Sequence, residues 1–221
     1  MSPTRPAAPP AAKPQRQSTS DRLVQDVLDG LLDGRYVAGQ RLVEPDLMVQ
    51  YDVGRSTVRE ALKRLEAQGI IEIQLNRGAR IRQLGRDEAL NYLQLAEAVY
   101  GLAARLAAQN INQRGNRARL EDMIVRLVQA AQHPDSLHFL HARAEFQNIL
   151  ADISGNPLLA PQFKGLQIHI LRHQMVGLPD HIVRNFRATA TAVLDGDPER
   201  AEAAARLHVR KLMAQLLAGK A

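Results

Sequence analysis

The chain has 221 residues, a formal net charge of +6 and no cysteine. Its length allows two modest domains, and the lack of cysteine excludes a disulfide framework, a thiolate metal site and a cysteine nucleophile. Its apolar runs are too short for a membrane span and no secretory signal is recognisable, so we expect a cytoplasmic protein with no membrane partner.

Residues 1–17 hold five of the eleven prolines and few apolar side chains. This composition predicts a disordered extension. Its basic residues, Arg5, Lys13 and Arg16, could add weak phosphate contacts to a nucleic acid, but we favour an inert tail.

Two helices are predicted next. Apolar residues recur at helical spacing between Leu23 and Leu32, with Ser20 and Asp21 placed to cap the helix and Asp33-Gly34 to end it. After a turn over 39–42, a second helix is predicted over 44–51, with its proline in the tolerated first turn. Residues 52–54 form a tight turn.

The third helix carries the most informative pattern. Polar side chains cluster in its first turns, at Arg55, Ser56, Thr57 and Arg59, while its other face is apolar. Gly69 suits a helix end, and strands at 70–73 and 79–81 flank a hairpin turn at 76–78. This order is a winged helix-turn-helix, a DNA-reading unit, which we assign to residues 18–84.

Charge is concentrated on the same segment. Residues 55–86 hold eight Lys/Arg against three Glu, and residues 87–221 hold 15 Lys/Arg against 13 Asp/Glu. A charge run alone is usually a solvated surface, but beside the helix-turn-helix spacing it favours phosphate neutralisation. We expect the following DNA contacts: base edges, mainly guanine, through Arg55 and Arg59; phosphates through Ser56, Thr57 and Lys63; and the minor groove or backbone at the wing tip through Arg77 and Gly78.

Residues 85–221 are predicted to be entirely helical, which makes the fold mainly α. Turn signals divide them into six helices near 87–112, 116–132, 136–154, 157–177, 181–195 and 198–218. Long helices with short loops pack as an antiparallel bundle, and such bundles bind ligands between facing helices. We therefore predict that this domain binds an effector and mediates dimerisation.

The first half resembles the GntR family of bacterial transcription regulators over roughly residues 20–82. The resemblance is carried by Gly39-x-x-Leu42, the run Arg55-x-x-Val58-Arg59-Glu60-Ala61-Leu62 and Asn76-Arg77-Gly78. Gly54 departs from the pattern, because a Ser or Thr is usual there and could contact a phosphate. The resemblance implies a transcription regulator.

The second half resembles the helical effector domain of the FadR subfamily, in its shorter, VanR-like form with six helices. Ser154-Gly155-Asn156-Pro157 and Gly196-Asp197 carry this likeness. The resemblance implies a divalent metal held by one Asp and three His. The corresponding positions hold Arg143, Gln147, Phe186 and His208, so only one imidazole remains and we expect no metal cofactor.

Our hypothesis is that Arg143 replaces the metal as the anchor of a small organic acid, with Gln147 and His208 adding hydrogen bonds and Phe186 lining the site. The alternative is a filled pocket in which Arg143 pairs with a nearby carboxylate. A relocated metal site at His169 and His173 is less favoured, since no third ligand follows at motif spacing. The paired His138 and His141 lie on a polar face and are most simply solvated.

The sequence as a whole predicts a regulator that binds DNA as a homodimer, with two recognition helices on a palindromic operator in the nucleoid. We favour a repressor over an activator. An enzyme is not expected, because no nucleophile–base pair, phosphate loop or cofactor fingerprint is present. The alternative is an architectural or effector-independent DNA-binding protein with a vestigial pocket.

Overall fold

The computed structural model describes residues 18–74, 78–113, 115–133, 137–171 and 181–218, without the side chains of 137, 140, 167–171 and 181. It is mainly α, as expected. Within those ranges the elements in chain order are α1 (Thr19–Leu32), β1 (Arg41–Leu42), α2 (Glu44–Tyr51), α3 (Arg55–Ala67), β2 (Ile71–Gln74), β3 (Gly78–Ile81), α4 (Arg86–Asn110), α5 (Asn116–Ala130), α6 (Leu137–Ile153), α7 (Leu159–Leu171), α8 (His181–Leu194) and α9 (Pro198–Leu217).

The start of α1 corrects one prediction. Ser18, not Ser20, caps the helix: its hydroxyl accepts from the backbone N–H of Asp21, and the Asp21 carboxylate accepts from the backbone N–H of Ser18. Ser20 is instead a buried residue of α1, and its hydroxyl accepts a hydrogen bond from Arg64 on α3. The contact with α3 therefore occupies the hydroxyl that was expected to cap the helix.

The first three helices and the sheet pack as a winged helix-turn-helix. The sheet is antiparallel with strand order β1-β3-β2. Strand β1 was not expected, because residues 39–42 were predicted to be a turn. Gly69 has a φ of +66° directly after α3, the left-handed conformation that favours glycine at a helix end. Residues 75–77, which include Arg77 and most of the hairpin turn predicted at 76–78, lie outside the described residues.

The helical domain surrounds α4. This helix packs against α6, α7, α8 and α9, and its buried face is mostly alanine, which lets the neighbouring helices approach closely. The six predicted helices are confirmed with small shifts at their ends. The helix predicted over 157–177 begins at Leu159 and is described as far as Leu171. None of the described helices is long and apolar enough to cross a membrane.

The two halves of the chain touch at the linker and at α1. Only residues 82–85 separate β3 from α4, and Arg82 makes two hydrogen bonds, of 2.8 and 2.7 Å, to the carboxylate of Glu88 in the first turn of α4. Elsewhere α7 packs against α1, where Lys164 forms an ion pair with Asp29. The helical domain thus contacts the DNA-binding domain at the linker and at α1.

Candidate nucleic-acid interface and ligand site

Helix α3 presents a basic face to solvent and an apolar face to the core. Arg55, Arg59 and Lys63 are exposed and four residues apart, so they lie along one side of the helix. Ser56 is exposed and Thr57 is half-buried in the first turn. The opposite face is fully buried and holds Val58, Ala61, Leu62 and Leu65. The core therefore fixes which side of α3 faces outward, and this side carries the residues expected to contact DNA.

The N-terminus of α3 is open. Its N-cap residue is Gly54, which supplies no side-chain hydrogen bond to the first turn. Backbone N–H groups at a helix start point along the axis and favour anions such as phosphate. The departure noted in the sequence thus removes a hydroxyl but leaves those N–H groups uncovered by a cap.

An acidic residue that the sequence analysis did not single out lies against the basic face. Glu44, in the first turn of α2, accepts hydrogen bonds of 3.2 and 3.3 Å from Nε of Arg59. Nε of Arg55 lies 4.0 Å from the same carboxylate. No signal within one helix could have revealed this contact, because it depends on how α2 crosses α3.

The wing carries basic residues beyond those expected. Gly78 begins β3 with a φ of +82° and is exposed. Arg41 on β1 lies opposite Arg80 on β3, and both are exposed. Like charges directly opposite each other in a sheet repel, and an anion bound between the two arginines would reduce this repulsion. On its other side, Arg80 lies opposite Glu72 on β2. The pairing of β1 with β3, which the sequence did not reveal, creates this arrangement.

In the helical domain, aromatic rings from three helices converge. The His208 ring on α9 is 1% exposed and lies 4.6 Å from the ring of Phe186 on α8 and 5.8 Å from that of Tyr100 on α4. The structure therefore brings Phe186 and His208 together, as the sequence led us to expect, and adds Tyr100. We call Tyr100, Arg143, Phe186 and His208 the helical-domain site.

Arg143 joins this site from α6. The residue is half-buried, but its Nε atom is fully buried and has no hydrogen-bond partner in the described part of the chain. None of the described carboxylates lies within ion-pair distance of it. Burial lowers the pKa of Arg143 to about 10, an effect that its interaction with Tyr100 opposes. The guanidinium therefore remains protonated at neutral pH, as a half-buried cation beside a tyrosine. Gln147 is half-buried one turn along α6.

Two further buried donors, one within this site and one on α8, were not identified from the sequence. The Tyr100 hydroxyl lies beside Thr189 without a hydrogen bond of normal geometry, and burial raises its pKa, so it keeps its proton. The Asn185 amide nitrogen also has no partner among the described residues, while its oxygen accepts from Lys211 at 2.9 Å. Asn185 and Thr189 interrupt the apolar stripe of α8, which is a signal that could have identified them.

The residues of the helical-domain site do not fit the divalent metal that the resemblance implies. At the four family positions they offer a guanidinium, an amide, a phenyl ring and one imidazole, and a transition metal needs more good donors than that. Among the described residues no three His, Cys, Asp or Glu side chains cluster as metal ligands. The side chains of His169 and His173 lie outside the described residues, and His138 and His141 are both exposed.

Two domain families match the chain. Residues 19–81 match the bacterial regulatory proteins of the gntR family, and residues 92–211 match the FCD domain. The chain is 26% identical over 198 residues to a probable D-xylose utilization operon transcriptional repressor of Paenarthrobacter nicotinovorans, covering 88% of this chain and 87% of that protein. It is 25% identical over 227 residues to the HTH-type transcriptional repressor NanR of Klebsiella aerogenes, covering 90% and 85%.

Solved structures show the same fold. E. coli McbR/YncC aligns with a TM-score of 0.78 at 18% identity, covering 92% of this chain and 99% of that one. A putative GntR transcriptional regulator from a Rhodococcus species aligns with a TM-score of 0.73 at 20% identity, covering 90% and 97%. At these identities the likeness establishes the architecture of both halves together.

Proposed function

The chain belongs to the gntR family of bacterial regulatory proteins and carries an FCD domain, and from this premise we propose that it is a cytoplasmic, homodimeric transcription repressor controlled by a small organic acid. The relatives described above are transcriptional repressors, and the family regulates transcription rather than catalysing reactions. A homodimer would place two α3 helices in successive major grooves of a palindromic operator.

The exposed face of α3 supports the DNA-reading part of the proposal. Arg55 and Arg59 are free of the core and long enough to reach guanine O6 and N7 in a major groove. Ser56, Thr57 and Lys63 surround them with donors suited to phosphates. On the wing, Arg41 and Gly78 would approach the backbone, and we expect the same of Arg77.

The observation that carries the effector part of the proposal is the buried Nε of Arg143, which has no acceptor among the residues that the structure describes. Leaving a charged donor buried and unpaired is costly. The Tyr100 hydroxyl, which interacts with Arg143, can also donate and has no hydrogen-bond partner among the described residues. A site with these donors and a cation, and with none of the described carboxylates beside it, would suit an anionic acceptor. A carboxylate would supply it, since guanidinium binds carboxylates in a two-point geometry.

This assignment needs no metal ion. Arg143 would supply the positive charge, and Gln147 and His208 would contribute further hydrogen bonds beside the ring of Phe186. The alternative, in which Arg143 pairs with a carboxylate of the protein, is not supported, because none of the described carboxylates lies within ion-pair distance of it.

The first experiment is selection of DNA. Purified protein is incubated with fragmented DNA from its own source and the retained fragments are sequenced. A shared palindrome is the expected result, and the genes beside it would suggest which acids to test. Fragments without a common site would contradict the proposal and favour an architectural role.

The second experiment tests the effector site. A panel of small organic acids is screened by calorimetry, with and without a chelator. The same acids are tested on Arg143→Gln and on a matched surface variant, Arg119→Gln, whose residue pairs with exposed Asp152. We expect chelator-resistant binding that Arg143→Gln abolishes and Arg119→Gln retains. Equal binding by all three proteins, or loss of binding with chelator alone, would refute the proposal.

A further inference from the structure

Glu44 occupies a position that works against simple affinity for DNA. It lies on α2, and its carboxylate contacts Arg59 and approaches Arg55, the two residues expected to read bases. A negative charge on a DNA-facing surface repels phosphates and so weakens electrostatic binding. The position of Glu44 therefore suggests a role other than increasing the affinity for DNA.

The exposures of the three side chains are unequal. Glu44 is 28% exposed, while Arg55 and Arg59 are 64% and 60% exposed. The carboxylate is therefore set into the surface beneath two long, solvated side chains. The contacts are made through Nε, one edge of each guanidinium, so the Nη groups remain available to other acceptors.

A neighbouring acid on the same helix makes no such contact. Asp46 lies two residues further along α2, is exposed, and has no ion pair with any described residue. Both acids add one negative charge near the DNA-binding surface, but only Glu44 contacts the reading arginines. This difference separates a positional role from a purely electrostatic one.

We propose that Glu44 is a specificity-determining residue that positions Arg59 and Arg55 for base edges and restrains them from phosphates. The inference rests on the proposed function, because it presupposes a regulator that reads DNA sequence. An arginine that leaves Glu44 to pair with a single phosphate exchanges one anionic partner for another and gains little. An arginine that reaches guanine gains two aligned acceptors, and the carboxylate keeps it extended towards the groove.

The consequence is that Glu44 lowers non-specific binding more than operator binding. Without the carboxylate both arginines are free to pair with phosphates, which suits any DNA sequence. The operator gains less, because loss of orientation offsets the gain in positive charge. The ratio of operator to non-specific affinity should therefore fall.

The test compares Glu44→Gln with the matched control Asp46→Asn, which removes the same charge from the same helix. The specific probe is the duplex that wild-type protein selects from a randomised library, and the non-specific probe is alternating poly(dI-dC). We expect Glu44→Gln to tighten non-specific binding about fivefold and to lower the affinity ratio by at least that factor. Asp46→Asn should shift both affinities together and keep the ratio.

Two further measurements define the role. In an Arg59→Ala background, Glu44→Gln should change the ratio far less, because its partner is absent. Library selection by Glu44→Gln should show relaxed preference at guanine positions, while Asp46→Asn should reproduce the wild-type preference. Circular dichroism and thermal unfolding confirm that each variant is folded.

The results separate the two levels of inference. If Glu44→Gln and Asp46→Asn keep the same ratio and the same base preferences, Glu44 is only a surface charge and the positioning role is wrong. If wild-type protein itself selects no sequence, the proposed function fails and this inference fails with it.

Discussion

The ammonium group of Lys164 lies 2.9 Å from Oδ1 of Asp29, which joins α7 of the helical domain to α1 of the DNA-binding domain. The residue before it, Phe163, is buried and meets the ring of Tyr100 edge-on at 6.0 Å. Tyr100 belongs to the helical-domain site and interacts with Arg143. One short stretch of α7 therefore contacts the candidate effector site on one side and the DNA-binding domain on the other.

Lys164→Glu should reduce the effect of the effector on DNA binding. The substitution places two carboxylates together where α7 meets α1, so a shift of α7 would no longer be transmitted through an attractive contact. A partly exposed ion pair contributes little to stability, so the fold should be unaffected. The measurement is operator affinity with and without the acid identified by calorimetry. The charge-swapped double variant, Lys164→Glu with Asp29→Lys, should restore the response, and a response unchanged in the single variant would rule out this route.

Arg55→Ala should weaken operator binding by about 1–3 kcal/mol and relax the preference at one base position. The comparison is Lys63→Ala, which should weaken all sequences alike and reduce the salt slope by about 0.9. Binding of both variants is measured on the operator and on single-base variants over a range of salt concentrations. An Arg55→Ala protein that loses affinity equally for every sequence would make Arg55 a phosphate contact.

Tyr100→Phe should weaken ligand binding without lowering the free energy of unfolding. The hydroxyl is buried without a hydrogen bond of normal geometry, so its removal should leave the free energy of unfolding unchanged or slightly higher. The affinity for the acidic effector should fall, because one of the donors at the site is lost. Urea denaturation and calorimetry on the same preparation provide both values. A variant that is destabilised but binds normally would show that the hydroxyl has a structural role only.

The capping contacts of α1 predict that the stability of the fold depends on pH in the acid range. The hydrogen bond from the Ser18 hydroxyl, together with Arg64, holds the pKa of Asp21 at about 2, below its ordinary value of 3.8. Since the folded-state pKa is depressed, this contribution is complete above pH 3.8 and is lost as the pH falls towards 2. Asp21→Asn should lower the urea midpoint at neutral pH and flatten its decline in that window. Ser18→Ala should act in the same direction, and a pH profile of Asp21→Asn identical to the wild type would contradict the assignment.

Much of the fold could be predicted because it is encoded locally. Helical spacing in α3 and the glycine at 69 marked the recognition helix and its end. The cap of α1 was misplaced because Ser18 and Ser20 are chemically equivalent, and only the contact of Ser20 with Arg64 decides between them. Strand β1 is two residues long and pairs with a distant strand, which is too little for any local pattern to indicate.

The same distinction between local and long-range contacts applies to the candidate sites. The outward face of α3 followed from periodicity. Phe186 and His208 were chosen from the family resemblance, and the structure places their rings in contact. Glu44 beside Arg59 was not foreseen, since the contact joins two helices. Tyr100 was missed for a similar reason: its role depends on its proximity to Arg143, which lies on another helix.

In the proposed homodimer, the short connection between β3 and α4 would limit the spacing of half-sites that the protein can bind. Four residues, 82–85, reach at most about 14 Å, and the two hydrogen bonds from Arg82 to Glu88 brace them. Once one winged helix-turn-helix of such a dimer is bound, the second is held close to the DNA at a high effective concentration. It can bind only a half-site at the matching distance and on the matching side of the double helix. Inserting about half a helical turn of DNA between the half-sites should therefore abolish two-headed binding while leaving each half-site chemically intact.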